Sequence, residues 1–307
     1  MVVSNKLPWK AILKLHSPML LLVGAIAVAV VLIDRYADIK MPSSATPYSI
    51  AGVALAILLG FRNSAAYDRW WEGRKLWGGI VNASRALGRQ VTTYAKTSGD
   101  MTADDLKGFQ TEILHRQVAW LNALRCQLRG QDPLGELDGL ISAEEKASLA
   151  DQKNVPFALL QINGKALAEA ANKGILDERR LESIDRTLSE LVALQGGCER
   201  IKGTPIPPAY GFFTLGFTRA YCCALPIGLV EHLGIATAVV VVALAFMFSV
   251  LGTIGKFLED PFTTAPNALA LTAICRNIEI NLRQALGEKD IPPALKPYRV
   301  GTVDLLL

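Results

Sequence analysis

Long uncharged stretches alternate with long charged ones along this chain, and apolar residues recur at helical spacing in both. Residues 18–33 (PMLLLVGAIAVAVVLI) carry no charge. With residues 15–17 added, the run approaches the roughly 20 residues needed to cross about 30 Å of hydrocarbon, which predicts a first membrane helix. Residues 34–47 (DRYADIKMPSSATP) are polar, contain two prolines and read as a loop. Residues 48–61 (YSIAGVALAILLGF) are again uncharged but only fourteen long. The helical pattern continues past Arg62, and a helix facing protein or a pore need not be apolar throughout, so a second membrane helix is predicted here. Residues 212–230 (FFTLGFTRAYCCALPIGLV) are apolar apart from Arg219, and residues 234–255 (GIATAVVVVALAFMFSVLGTIG) are uncharged for twenty-two positions. Only EHL separates these two runs, which predicts a helical hairpin.

The middle of the chain, 82–202, is charged and amphipathic. Phe109, Ile113, Val118, Leu121 and Leu124 share one helix face. A polar break around Pro133 follows, and Ser142 before Glu144 and Glu145 is a helix-start signal. Pro156 opens a further helix that Gly174 should stop. Leu176, Leu181, Ile184, Leu188 and Leu191 then mark a long amphipathic helix. No strand-type alternation of useful length and no internal repeat is visible there. The expected organisation is all-α: a first segment, 1–81, with two membrane helices and the start of a cytoplasmic extension; a helical cytoplasmic region, 82–202; a second helix pair, 203–258; and a cytoplasmic C-terminal segment, 259–307.

Lysine and arginine placement sets the orientation. Lys6, Lys10 and Lys14 precede the first run; Arg62, Arg69, Arg74, Lys75, Arg85 and Arg89 follow the second; Lys202 precedes the third and Lys256 follows the fourth. The loops within each pair hold only Arg35 and Lys40 in one case and no positive residue in the other. Four spans with both termini in the cytoplasm of an inner membrane satisfy this bias. Trp9, Trp70, Trp71 and Trp77 flank the runs on the same side, as indoles at an interface or as packing between helices.

Composition adds exclusions. The 307 residues are 51% hydrophobic and 20% charged, with a net charge of +4. No compact basic patch interleaves with aromatics, so nucleic acid is not an expected partner. Cys126, Cys198, Cys222, Cys223 and Cys275 form no C-x-x-C pair and suggest neither zinc nor redox chemistry. The apolar run begins too late, and lacks the small-residue site, for a cleavable signal peptide. Asn82-Ala83-Ser84 matches a glycosylation sequon by chance if this segment is cytoplasmic. No phosphate loop, H-E-x-x-H, G-x-S-x-G or dinucleotide fingerprint is present, and His16, His115 and His232 are far apart, so neither an enzyme nor a bound cofactor is expected. A secondary transporter would call for repeats and broken helices that four spans do not supply.

Three segments carry a family resemblance. Residues 58–80 (LLGFRNSAAYDRWWEGRKLWGGI) resemble the stretch that follows the pore helix in bacterial bestrophin-like proteins. Residues 258–282 (LEDPFTTAPNALALTAICRNIEINL) are similar to that family's segment after the last membrane helix, and residues 195–214 (QGGCERIKGTPIPPAYGFFT) to the lead into its third span. With the order of spans, the likeness extends over nearly the whole chain.

The resemblance implies a symmetric pentamer around one pore lined by the second membrane helix. Matched on the glycine-aromatic pair of LLGF, the three apolar rings of the narrow neck fall at Val53, Ile57 and Phe61. Residues four apart share a helix face, so the transfer is geometrically consistent over roughly 11–12 Å of helix. A narrow apolar ring stops ions by dewetting. The same three residues would serve equally as packing between helices. GILDERRL is similar to the family's cytoplasmic constriction and implies an aperture at Ile175, with a core isoleucine as the other reading. Some animal members hold calcium on an acidic run after the last span. Here that place reads Glu259-Asp260-Pro261-Phe262-Thr263-Thr264, too few oxygen ligands for a calcium clasp. Animal members have phenylalanine at the middle ring, with an electropositive edge that favours anions. Ile57 removes that edge, and bacterial relatives imply sodium or potassium as the permeant ion. A chloride channel of the same fold is the alternative. Glu169, Asp177 and Glu178 are candidates to line an acidic vestibule, or else a solvated face.

Overall fold

A computed structural model describes residues 9–37, 44–300 and 303–306. Lys6 and Lys40, which entered the orientation argument, lie outside the described residues. Helix α1 (Trp9–Tyr36) and helix α2 (Ala45–Tyr94) are followed by α3 (Ala103–Arg129), a short 3-10 turn (Leu134–Leu137), α4 (Ala143–Ser148), α5 (Val155–Asn172) and α6 (Glu178–Gly203). The chain then re-enters the apolar layer as the hairpin α7 (Pro208–Leu233) and α8 (Ala236–Leu258), and leaves it for α9 (Leu271–Ala285). Four of these helices, α1, α2, α7 and α8, are long and apolar enough to cross a membrane.

Helix α2 sets the proportions of the molecule. It runs unbroken for 50 residues, about 75 Å at the rise of an α-helix. The start expected at residue 48 moves to Ala45, because Pro47 is tolerated within a first turn, where its missing N–H has no partner to lose. The boundary expected at residue 81 falls inside this helix. Small residues let the lower half of α2 approach its partners closely. A Cβ on Gly79 would lie 2.7 Å from the Leu194 side chain of α6, and one on Gly73 would lie 3.1 Å from Pro261.

Two hydrophobic cores sit one above the other along α2. The membrane core joins Val23 of α1, Leu55 and Leu59 of α2, Cys222 and Leu225 of α7, and Val241, Ala245 and Phe248 of α8. The larger second core gathers Trp77, Ile80 and Leu87 of α2 with Trp120 and Leu121 of α3, Leu159 of α5, Leu191 of α6 and Ile278 of α9. Trp77 is therefore no interfacial anchor: it is fully buried, whereas Trp9 and Trp71 are exposed. In the membrane layer α1 packs on α7 and α8, and α2 packs on α7 and α8. The hairpin thus separates α1 from α2, which lie on opposite sides of it.

Local chemistry explains where the cytoplasmic helices begin and end. Thr102 and Asp105 form a reciprocal capping box on α3, Ser142 accepts from the Glu145 N–H at the start of α4, and Asp177 accepts from the Arg180 N–H at the start of α6. Gly174, at φ 75°, stops α5 in a left-handed conformation that lets the Ile175 N–H reach the Ala170 carbonyl at 2.9 Å. The all-α expectation misses one feature, a short antiparallel hairpin pairing Tyr298–Val300 with Val303–Leu305 near the C-terminus.

One buried ion cluster fastens α3 to α4 and α5. The Arg116 guanidinium donates to Glu145 at 2.6 and 2.8 Å, to Glu112 at 2.6 Å and to Asn163 Oδ1 at 2.9 Å. Burial works against its charge, but the two carboxylates outweigh that and hold its pKa above the ordinary arginine value. Arg116→Met leaves Glu145 and Asn163 in a largely buried site without their donor, at a cost of about 3–5 kcal/mol. Thermal unfolding of the purified variant in detergent should show a clear fall in midpoint, while a surface change such as Arg186→Met should not.

Candidate functional site

The upper half of α2 has two unlike faces. Leu55, Leu59, Arg62 and Ala66 are buried against the hairpin. Val53, Ile57 and Phe61, on the other face, are 62%, 54% and 68% exposed. Each is a large apolar side chain, and together they form a stripe at i, i+4, i+8 that the chain's own helices leave uncovered. Ile50 extends it upward. Because α1 lies beyond α7 and α8, the open face of α2 looks away from the chain's other membrane helices.

Just below Phe61 the helix is held rigidly. Arg62 is buried and donates to the Gly252 carbonyl at 3.1 Å, with Glu259 at 3.7 Å. Asn63 donates to the Leu251 carbonyl at 3.0 Å. Arg69 donates to the carbonyls of Glu259 at 2.7 Å, Thr204 at 2.6 Å and Ile201, and the Trp70 indole donates to the Asn267 carbonyl at 2.9 Å. The carbonyls of Ile201, Thr204 and Glu259 lie at the C-terminal ends of α6 and α8, where helix carbonyls lack intrahelical partners and the local potential is negative, while those of Leu251 and Gly252 lie within the last two turns of α8. Two guanidinium groups, an amide and an indole donate to these carbonyls, so the exposed stripe is fixed in rotation relative to the hairpin.

Glu259 and Asp260, at the place compared with a calcium clasp, are engaged locally. Glu259 faces Arg62. Asp260 pairs with Lys202 at 2.7 Å and accepts from the Phe262 N–H at 3.3 Å.

Ile175 requires a correction. It is only 7% exposed and belongs to the chain's own second core, with its carbonyl accepting from the Lys96 N–H at 3.0 Å. A side chain that lines a passage between chains must be open on the single chain, and this one is not. The adjacent Asp177, Glu178 and Arg179 are exposed at the start of α6, as is Glu169 on α5. The segment was legible, but which of its residues faces outward was not, since the turn closed by Gly174 folds Ile175 inward.

The remaining reactive groups are dispersed. His16 is buried, with Nδ1 2.6 Å from Ser249 Oγ; His115 lies 2.6 Å from Glu288, and His232 is exposed. Burial alone would raise the Glu288 pKa, yet the hydrogen bonds from Arg283 and His115 hold it below the usual carboxylate range. All five cysteines are free, and burial pushes Cys198 and Cys275 up to about 12, leaving them inert as thiolates. No group of three or more His, Cys, Asp or Glu is arranged to hold a metal among the described residues. Arg219 is exposed within α7. It lies between Leu215, which neighbours Gly252 and so Leu59, and Tyr221, whose hydroxyl abuts Gly52; its depth is therefore that of the Val53–Ile57 stretch.

Comparisons with known proteins identify the family. A family model described as bacterial/fungal bestrophin protein matches residues 10–284. A voltage-dependent anion channel-forming protein of Ralstonia nicotianae is 36% identical over 287 residues, covering 93% of this chain and 92% of that one. The Escherichia coli K12 protein YneE, of the same name, is 35% identical over 290 residues, covering 94% and 92%. A solved bacterial bestrophin homologue from Klebsiella pneumoniae superposes with a TM-score of 0.81 at 31% identity, covering 89% of this chain and 98% of that chain.

If the exposed stripe borders the ion path, replacing Val53, Ile57 and Phe61 together by alanine widens and hydrates it. Single-channel recordings of the triple variant should then show a conductance several-fold above that of the unaltered protein. An unchanged conductance would mean that another face of α2 meets the ions.

Proposed function

This chain belongs to the bacterial and fungal bestrophin family, and we propose that it passes small monovalent ions passively through a pore on the axis of a homopentamer, with a hydrophobic neck of Val53, Ile57 and Phe61 rings. Membership of a channel family and four apolar helices make it a membrane protein of the ion-channel class. The observation that carries the finer reading is the uncovered stripe on α2. Three large apolar residues at four-residue spacing, on the side of the hairpin opposite α1, have no cover among the described residues. Symmetry turns each into a ring, and a ring too narrow for a hydrated ion and without replacement ligands gates by dewetting. The same assembly leaves the exposed outer face of α1, with Leu21, Val28 and Leu32, to the lipid.

The division of labour proposed for the segments follows. Residues 1–81 supply the neck and an outer helix, 203–258 the hairpin that spaces them, and 82–202 with 259–307 the body on the side of the basic flanks. That side is the cytoplasm if lysine and arginine bias governs insertion, which places both termini inside a bacterial inner membrane.

The sign of the ion has two readings, each with its own support. Ile57 presents no aromatic edge to an anion, which supports sodium or potassium. The relatives are named anion channel-forming proteins, which favours anions, and so does the exposed Arg219 at neck depth. Both readings keep the same neck.

Recording in a planar bilayer with asymmetric sodium chloride separates the two. On the cation reading the reversal potential lies toward the sodium equilibrium value, and Ile57→Phe moves it toward that of chloride. A wild-type reversal near the chloride value establishes the anion reading instead. Native mass spectrometry of the detergent-purified protein should give five chains, and a monomer or dimer would contradict the axial pore.

A further inference from the structure

The exposed face of α2 does not end at the neck. Below Phe61 it continues through Ser64 to Asp68, both exposed. Seven residues are nearly two helical turns, so Asp68 lies within about 20° of Phe61 around the helix and about 10 Å beneath it.

The charge on Asp68 is uncompensated among the described residues. No hydrogen bond or ion pair of its side chain is found among the described residues. The two arginines nearest in sequence turn elsewhere: Arg62 is buried against Gly252 and Glu259, and Arg69 spends its donors on the carbonyls of Glu259, Thr204 and Ile201. The next charges down the same face, Glu72 and Lys75, pair with each other at 2.7 Å. Asp68 is therefore the first net charge met along this face after the apolar stripe.

We propose that Asp68 is a selectivity-determining residue for the conduction argued above: five copies form a carboxylate ring at the inner mouth of the neck that enriches monovalent cations and depletes anions. The inference rests on the axial placement of α2. A ring of like charge in a confined passage raises the local concentration of counter-ions before they reach the dry constriction. The neck then sets whether ions pass, and Asp68 biases which ions wait beside it. Whatever sign of ion the wild type prefers, removing this charge must shift the preference toward anions, most strongly at low salt.

The test uses the full-length protein reconstituted in a planar bilayer under asymmetric sodium chloride. Asp68→Asn should lower the sodium-to-chloride permeability ratio by at least about threefold at low ionic strength. Asp68→Cys, made with Cys223→Ser because Cys223 is the native thiol that is not buried, allows charge to be added after folding. A negatively charged sulfonatoethyl methanethiosulfonate should move the reversal potential toward sodium, and a positively charged trimethylammonium reagent of similar size should move it toward chloride. Equal effects of the two reagents, or no effect of either together with an unchanged ratio in Asp68→Asn, would overturn the proposal while leaving the channel reading intact. If the Val53, Ile57 and Phe61 alanine variant also conducts as the wild type does, the placement of α2 falls and this proposal with it.

Discussion

The structure depends on keeping one face of a 50-residue helix uncovered and fixed in rotation. An apolar stripe beside an ion path cannot also be packed into the chain's own core, so its orientation must be set by the opposite face. Leu55 and Leu59 supply dispersion contacts, but these tolerate sliding and rotation. Arg62, Asn63 and Arg69 do not, because each donates to named carbonyls near the ends of neighbouring helices. Leaving a buried donor such as the Arg62 guanidinium unmet costs roughly 1–3 kcal/mol or more. The Arg69 guanidinium also neutralises the negative ends of α6 and α8, so its contacts serve both geometry and electrostatics.

This anchoring shapes the electrostatics of the open face. With Arg62 and Arg69 drawn inward and Glu72 matched by Lys75, the stripe is left greasy at the neck and negative immediately below it. In the proposed pore, hydrophobicity and charge act in sequence on a passing ion, the first on its hydration and the second on its local abundance. Arg219, at similar depth on a different helix, acts in the opposite electrostatic sense. The segment 259–264 connects these elements: Glu259 answers Arg62, its carbonyl accepts from Arg69, and Asp260 holds Lys202 at the end of α6. In this sequence that segment is a strap between helices.

Much of this was legible in the residues. Apolar length located the membrane helices, and turn chemistry at Ser142 and Gly174 located two cytoplasmic boundaries. The four-residue spacing of Val53, Ile57 and Phe61 placed them on one face, and the structure leaves that face open. What could not be read was burial that depends on long-range packing. Trp77 sits among basic residues and looks interfacial, yet the second core closes over it. Ile175 follows a helix stop and looks free, yet its backbone is captured by Ala170 and Lys96 and its side chain turns inward. His16 finds Ser249 from 233 positions away in sequence. Asp68 was passed over because the basic residues around it mask its charge in a linear reading, and only the hydrogen bonds of Arg62 and Arg69 show that they face elsewhere.

The central claim is that the open face of α2 circles a common axis while α1 stands far from it. Spin labels placed singly at Ile57 and at Leu21, measured by pulsed electron resonance in reconstituted protein, test it directly. Ile57 should give two distances in the ratio of a regular pentagon's diagonal to its side, about 1.6, both well below the corresponding pair from Leu21. Distances from Ile57 equal to or longer than those from Leu21 would place the stripe at the periphery and contradict the account.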